Sequence, residues 1–141
     1  MVSRMASRTN RQATLPARVE SGESWTMTEH FDQAAFGALK DSLGDQMVQM
    51  LLGKFLTQMK EKVAKLDAAI AAEDMEEVRQ QAHDLTSSSG SVGLGAMRDA
   101  ASACEIAVKT GEKADALEKA RILVALAPDA EAAVRTAYPD L

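Results

Sequence analysis

Few side chains in this chain are suited to covalent chemistry: two histidines, His30 and His83, one cysteine, Cys104, and a hydroxyl run at residues 86–89. His83 lies in the stretch QAHDLTSSSGSVGLG, residues 81–95, where small residues leave room around it. At about 100° per residue, the helix positions sharing its face are Arg79, Gln80, Thr86, Ser87 and Gly90, all polar or small. Val78, Ala82 and Leu85 form an apolar stripe on a different face. The spacing therefore predicts an imidazole directed to solvent rather than a hydrogen-bonded core histidine. A neutral imidazole nitrogen is a good nucleophile near neutral pH and can carry a phosphoryl group.

Other chemistries find no support. The sequence contains no G-x-x-x-x-G-K-[ST], and the glycines at 90, 93 and 95 do not form G-x-G-x-x-G. Ser91 is not the centre of a G-x-S-x-G elbow, because position 89 is serine, so a hydrolase is disfavoured. Two distant histidines and one cysteine on a predicted buried face do not make a metal site. Asp74, Glu76 and Glu77 resemble paired carboxylates, but at a helix N-terminus the macrodipole explains them more simply. The serines read as clearance: outward ones let a partner approach, and Ser88 and Ser89 let helices pack closely. A lone exposed nucleophile with no catalytic apparatus of its own suggests a carrier whose partner performs the catalysis.

Helices must position this histidine. Phe31, Ala35, Leu39 and Leu43 recur every four residues, which predicts a first short helix with Thr28 as its N-cap, broken by Gly44. Val48, Leu51, Leu52, Phe55, Met59, Val63, Leu66 and Ile70 predict a long amphipathic helix over about 45–72, with Lys54, Lys60, Glu61 and Lys65 on its solvated face. Asp74 and Glu77 have capping-box spacing before the helix that carries His83. Leu94, Met97, Ala101, Cys104 and Val108 mark the next helix, ended by Gly111. Leu117, Ala120, Val124, Val134 and Tyr138 mark the last, in which Pro128 is expected to introduce a kink or a split. The expected architecture is all-α: an antiparallel four-helix bundle, with the short first helix covering one end.

Composition agrees. Of 141 residues, 46% are hydrophobic but only 4% aromatic, so the core must be aliphatic, and strong helix formers dominate. No apolar run is long enough to span a bilayer, and no signal-peptide core is present. The single cysteine excludes an intrachain disulfide framework and fits a reducing, cytoplasmic setting. Net charge is −5, but residues 1–27 carry four arginines against Glu20 and Glu23, so the remainder is more acidic still. An acidic body argues against nucleic acid as a partner, and no membrane partner is indicated. Residues 1–27 show no apolar period and read as a disordered basic arm ahead of a domain at 28–141. Their serine- and arginine-rich start also resembles an organellar transit peptide, and a start at Met27 is the alternative.

Together these residues resemble the histidine-containing phosphotransfer (HPt) domain family, whose signature is A-H-x-L-K-G-S-S-x-x-[apolar]-G on the second helix of a four-helix bundle. Ala82, His83, Leu85, Ser88, Ser89, Val92 and Gly93 match it in register. FDQAAFGALKDSLGD, LLGKFLTQM, LDAAIAAEDMEEV and ASACEIAVKTG extend the likeness over about residues 28–137. The resemblance implies that His83 accepts a phosphoryl group from a receiver-domain aspartate, or returns it to one, in a multistep relay. It implies a response-regulator receiver and a hybrid histidine kinase as partners, a monomeric carrier that is not itself an enzyme, and no bound cofactor, Mg²⁺ belonging to the receiver. Arg79, Gln80, Thr86, Ser87 and Gly90 would form the phosphoryl and docking surface. Two positions depart from the pattern: the family's lysine three residues after the histidine is Thr86, and the next glycine is Ser87. Arg79, one turn earlier, is the expected substitute cation. A non-catalytic adaptor that keeps the bundle but has lost transfer is the alternative.

Overall fold

The computed structural model describes residues 27–141. Its helices are α1 (Met27–His30), α2 (Gln33–Leu43), α3 (Asp45–Ala72), α4 (Met75–Ser91), α5 (Gly95–Lys109) and α6 (Lys113–Ala137). No strand occurs among the described residues. The all-α expectation holds. The arm expected at 1–27 lies outside the described residues, apart from Met27, which belongs to α1.

The four long helices form a bundle. α4 packs on α3 and α5, α5 on α6, and α6 back on α3, which closes the ring. Cross-helix pairs give the directions: Lys62 of α3 meets Asp84 of α4, and His83 of α4 meets Glu105 of α5. Lys60 of α3 meets Glu131 of α6, while Tyr138 just beyond α6 reaches back to Asp45. The α3–α4 and α4–α5 pairs lie across a chain reversal, and the two α3–α6 pairs set those helices in opposite senses.

The core is aliphatic, as the composition requires. Leu52, Leu66, Leu85, Leu94, Leu123 and Leu126 are fully buried together with Met59, Met97 and Val78. Each such side chain contributes about 1.5–3 kcal/mol over its exposed state. Ala100, Ala101 and Ala107 of α5 are buried too, and such small residues allow α5 to pack closely on its neighbours.

Local signals fix the ends of α4. The Asp74 carboxylate accepts a hydrogen bond from the Glu77 N–H at 3.2 Å, so Asp74 caps the helix as its spacing predicts. At the other end Leu94 N–H bonds to the Ser89 carbonyl and Gly93 N–H to the Gly90 carbonyl. That pair of bonds is a Schellman motif, and it needs the left-handed φ of +76° that Gly93 adopts. A side chain at Gly93 would meet the Phe36 backbone at 3.0 Å. Gly111 ends α5 in the same way.

Three expectations need correction. The N-terminal helix is not continuous from Thr28: α1 already contains that residue, and α2 begins afresh behind Asp32. Asp32, not Thr28, is the cap, its carboxylate accepting from Ala35 N–H at 3.2 Å. The break serves packing, because Asp32 N–H bonds to the Gly93 carbonyl and Arg98 reaches the Asp32 carboxylate. Leu43, placed on the apolar stripe, is exposed. Of the kink or split expected at Pro128, the split does not occur, since α6 runs through it with Leu126, Ala127 and Ala130 buried on either side. Burial of that face holds α6 together despite the hydrogen bond that proline cannot make.

α1, α2 and the chain end cover one end of the bundle, where Phe31, Phe36 and Tyr138 cluster over the α4–α5 turn. His83 lies midway along α4, away from that cap.

Candidate functional site

His83 is exposed: 58% of its side chain is open to solvent. The prediction of a solvent-directed imidazole holds. What the single-helix pattern does not show is that the ring is also held. Its Nδ1 lies 3.0 Å from Oε2 of Glu105 on α5. Glu105 is 11% exposed at the side chain, and its Oε2 also receives Lys109 Nζ at 3.1 Å. Burial pushes the Glu105 carboxyl up, but the bonds from Lys109 and His83 outweigh it and leave the group below its usual range. An ionised carboxylate only accepts, so we assign the ring hydrogen to Nδ1. In the neutral ring the lone pair is then on Nε2, which has no protein partner among the described residues.

The neighbours of His83 divide between two sides. Toward α3, Asp84 receives Lys62 at 3.2 Å and Gln80 at 3.0 Å. Along α4 itself, the Arg79 guanidinium closes on Glu76, at 2.6 Å from Nη2 and 2.8 Å from Nε. Thr86 Oγ1 donates to the Ala82 carbonyl at 2.8 Å, and Ser88 Oγ does the same to Asp84. These hydroxyl hydrogens are used within the helix. Ser87 is exposed one turn beyond His83, and Ser89 is fully buried, as the division by face predicts. Gly90 turns toward α5, where a side chain would meet the Arg98 stem at 3.4 Å.

The structure thus brings Gln80, His83 and Ser87 onto one open strip, with Thr86 half-buried and Arg79 engaged elsewhere. Sequence reasoning missed Glu105 and Lys109. A signal for them existed: reflecting position 83 through the turn at 92–94 points to the middle of α5. There Glu105 is the acid beside Cys104 on the apolar stripe.

Alternative chemistry remains unsupported. Burial pushes the Cys104 thiol up to about 12, so it is a poor nucleophile. Among the described residues no three His, Cys, Asp or Glu side chains cluster as metal ligands. Nor is any helix among them long and apolar enough to cross a membrane. No curated protein and no solved structure gives a significant match to the chain. Residues 50–137, from the first turns of α3 to the end of α6, match the Hpt domain, which is more than half of the chain. The protein therefore belongs to the Hpt domain family of phosphorelay histidine-phosphotransfer carriers, which work with receiver domains and kinases.

Proposed function

We propose that His83 carries a phosphoryl group between receiver-domain aspartates in a multistep phosphorelay, with residues 28–141 acting as one monomeric cytoplasmic domain. The observation that carries this reading is the His83–Glu105 pair: an exposed imidazole held through Nδ1 by a carboxylate that is almost buried. The Nε2 lone pair attacks phosphorus of the receiver's aspartyl phosphate. An N–P bond forms, the P–O bond to the aspartate breaks, and the aspartate leaves as a carboxylate. The Nδ1 hydrogen stays in place, and Glu105 offsets the positive charge that develops on the ring. The return step reverses each change. Mg²⁺ and most of the transition-state stabilisation come from the receiver, while Gln80 and Ser87 offer polar contacts on the open strip.

The test is incubation with a phosphorylated receiver domain. Label is expected on the wild type and absent from His83→Gln. Label that persists on the variant overturns the assignment.

One observation favours the adaptor alternative. Thr86 stands where the family has lysine, and its hydroxyl hydrogen is committed to the Ala82 carbonyl, so it brings neither charge nor a free donor to a phosphoryl group. A receiver that binds the chain tightly yet keeps its phosphate would establish that reading.

A further inference from the structure

A phosphoryl group on His83 brings about two negative charges to a surface that is already acidic. Glu105 touches the ring, Asp84 follows it in sequence, and Glu76 lies two turns back on the same side. Such a group needs a cation with donors to spare. Each nearby cation can be checked. Arg79 is closed on Glu76 through two nitrogens. Lys62 is paired with Asp84 on the α3 side. Arg98 packs its stem beside Gly90, two turns along α4 from His83, and its guanidinium is held between Asp99 and Asp32.

Lys109 differs from all of these. Its ammonium is bonded to the same Glu105 oxygen that accepts from His83, so a single shared atom separates it from the ring. It is 60% exposed at the side chain, and the one contact uses one of its three hydrogens. Glu105 is fixed by burial and holds both groups, so Lys109 is placed beside the imidazole rather than left to sample solvent.

We propose that Lys109, on the neighbouring helix, is the phosphoryl-binding cation of the His83 site and takes the part that residue 86 cannot play. The inference rests on His83 being the phosphoacceptor. One Lys109 hydrogen stays on Glu105 while the other two turn to the phosphoryl oxygens. As a mobile point charge it serves a transferring group without demanding a fixed fork geometry.

The experiment uses a donor that needs no receiver. Phosphoramidate phosphorylates an accessible imidazole directly: the new N–P bond forms on Nε2, the donor's own N–P bond breaks, and ammonia leaves. Initial rates of His83 labelling are measured on the full chain for wild type, Lys109→Gln, Lys109→Arg and Arg79→Ala. Lys109→Gln is expected to slow labelling about fivefold, as befits a partly screened charge one shared carboxylate oxygen away from the ring. Lys109→Arg should restore most of the rate, and Arg79→Ala should cost less than Lys109→Gln. Thermal melting of Lys109→Gln serves as the folding control. A Lys109→Gln rate equal to wild type overturns the proposal, as does an equal loss in Lys109→Arg. A parallel reaction with a phosphorylated receiver judges the relay separately: failure there with normal phosphoramidate labelling sinks the relay and leaves the Lys109 comparison intact.

Discussion

Glu105 Oε2 stands 3.0 Å from His83 Nδ1, across the α4–α5 interface and 22 residues along the chain. This contact turns an exposed imidazole into an oriented one. It fixes which nitrogen carries hydrogen, aims the other outward, and places a negative charge where the ring becomes positive. Glu105→Gln keeps the shape but removes that charge. A hydrogen bond to a charged group is worth about 1.5–3 kcal/mol, so phosphotransfer to His83 should slow by about tenfold or more. Rapid-quench kinetics with a phosphorylated receiver measures this, and an unchanged rate would deny Glu105 any part in orienting the ring.

Gly93→Ala should destabilise the bundle by about 2 kcal/mol or more. The new side chain meets a left-handed φ and the backbone of Phe36 together, and neither can yield cheaply. Urea unfolding followed by circular dichroism gives the value. A neutral result would mean that the α2 contact over the α4–α5 turn is loose.

Ser89→Ala is expected to be neutral or stabilising by up to about 1 kcal/mol. The hydroxyl is fully buried and has no hydrogen-bond partner among the described residues, so its removal relieves an unmet desolvation cost. Ser89→Leu should instead destabilise, because the close approach of α4 to its neighbours leaves no room for the larger side chain. Denaturation midpoints of the two variants check the pair, and a clear loss of stability in Ser89→Ala would contradict the assignment.

Acid should weaken the fold through His30. Burial lowers its pKa from the ordinary 6.5, against opposing pulls from Asp129 and Glu29. The folded state thus binds a proton less readily than the unfolded chain. Stability from this residue is complete above the unfolded value, and falls as pH drops below about 6.5 toward the depressed folded value. His30→Phe should flatten that part of the stability–pH curve, as unfolding at pH 7.5, 6.5 and 5.5 would show. A slope identical to wild type assigns the acid sensitivity to other groups.

Much of this was legible in the residues because the signals are local. Four-residue spacing in α3, the Asp74 cap, the Gly93 and Gly111 ends and the polar face around His83 each depend on neighbours within a turn or two. The misreadings share one cause. At Thr28 and Asp32 two residues could each cap a helix, and contacts to Gly93 and Arg98 select Asp32. At Pro128 a local breaker is overridden by burial of the flanking residues.

The sequence by itself determined an acidic, aliphatic, all-helical domain and one exposed histidine framed by small residues, because helix periodicity sorts faces without knowledge of partners. Only the tertiary structure decided what surrounds that histidine. Packing α5 against α4 brings Glu105 and Lys109 to the imidazole, while Arg79 turns to Glu76 instead. The reason is physical: a helix's own period shows which way a side chain faces, but the register between helices decides what it meets.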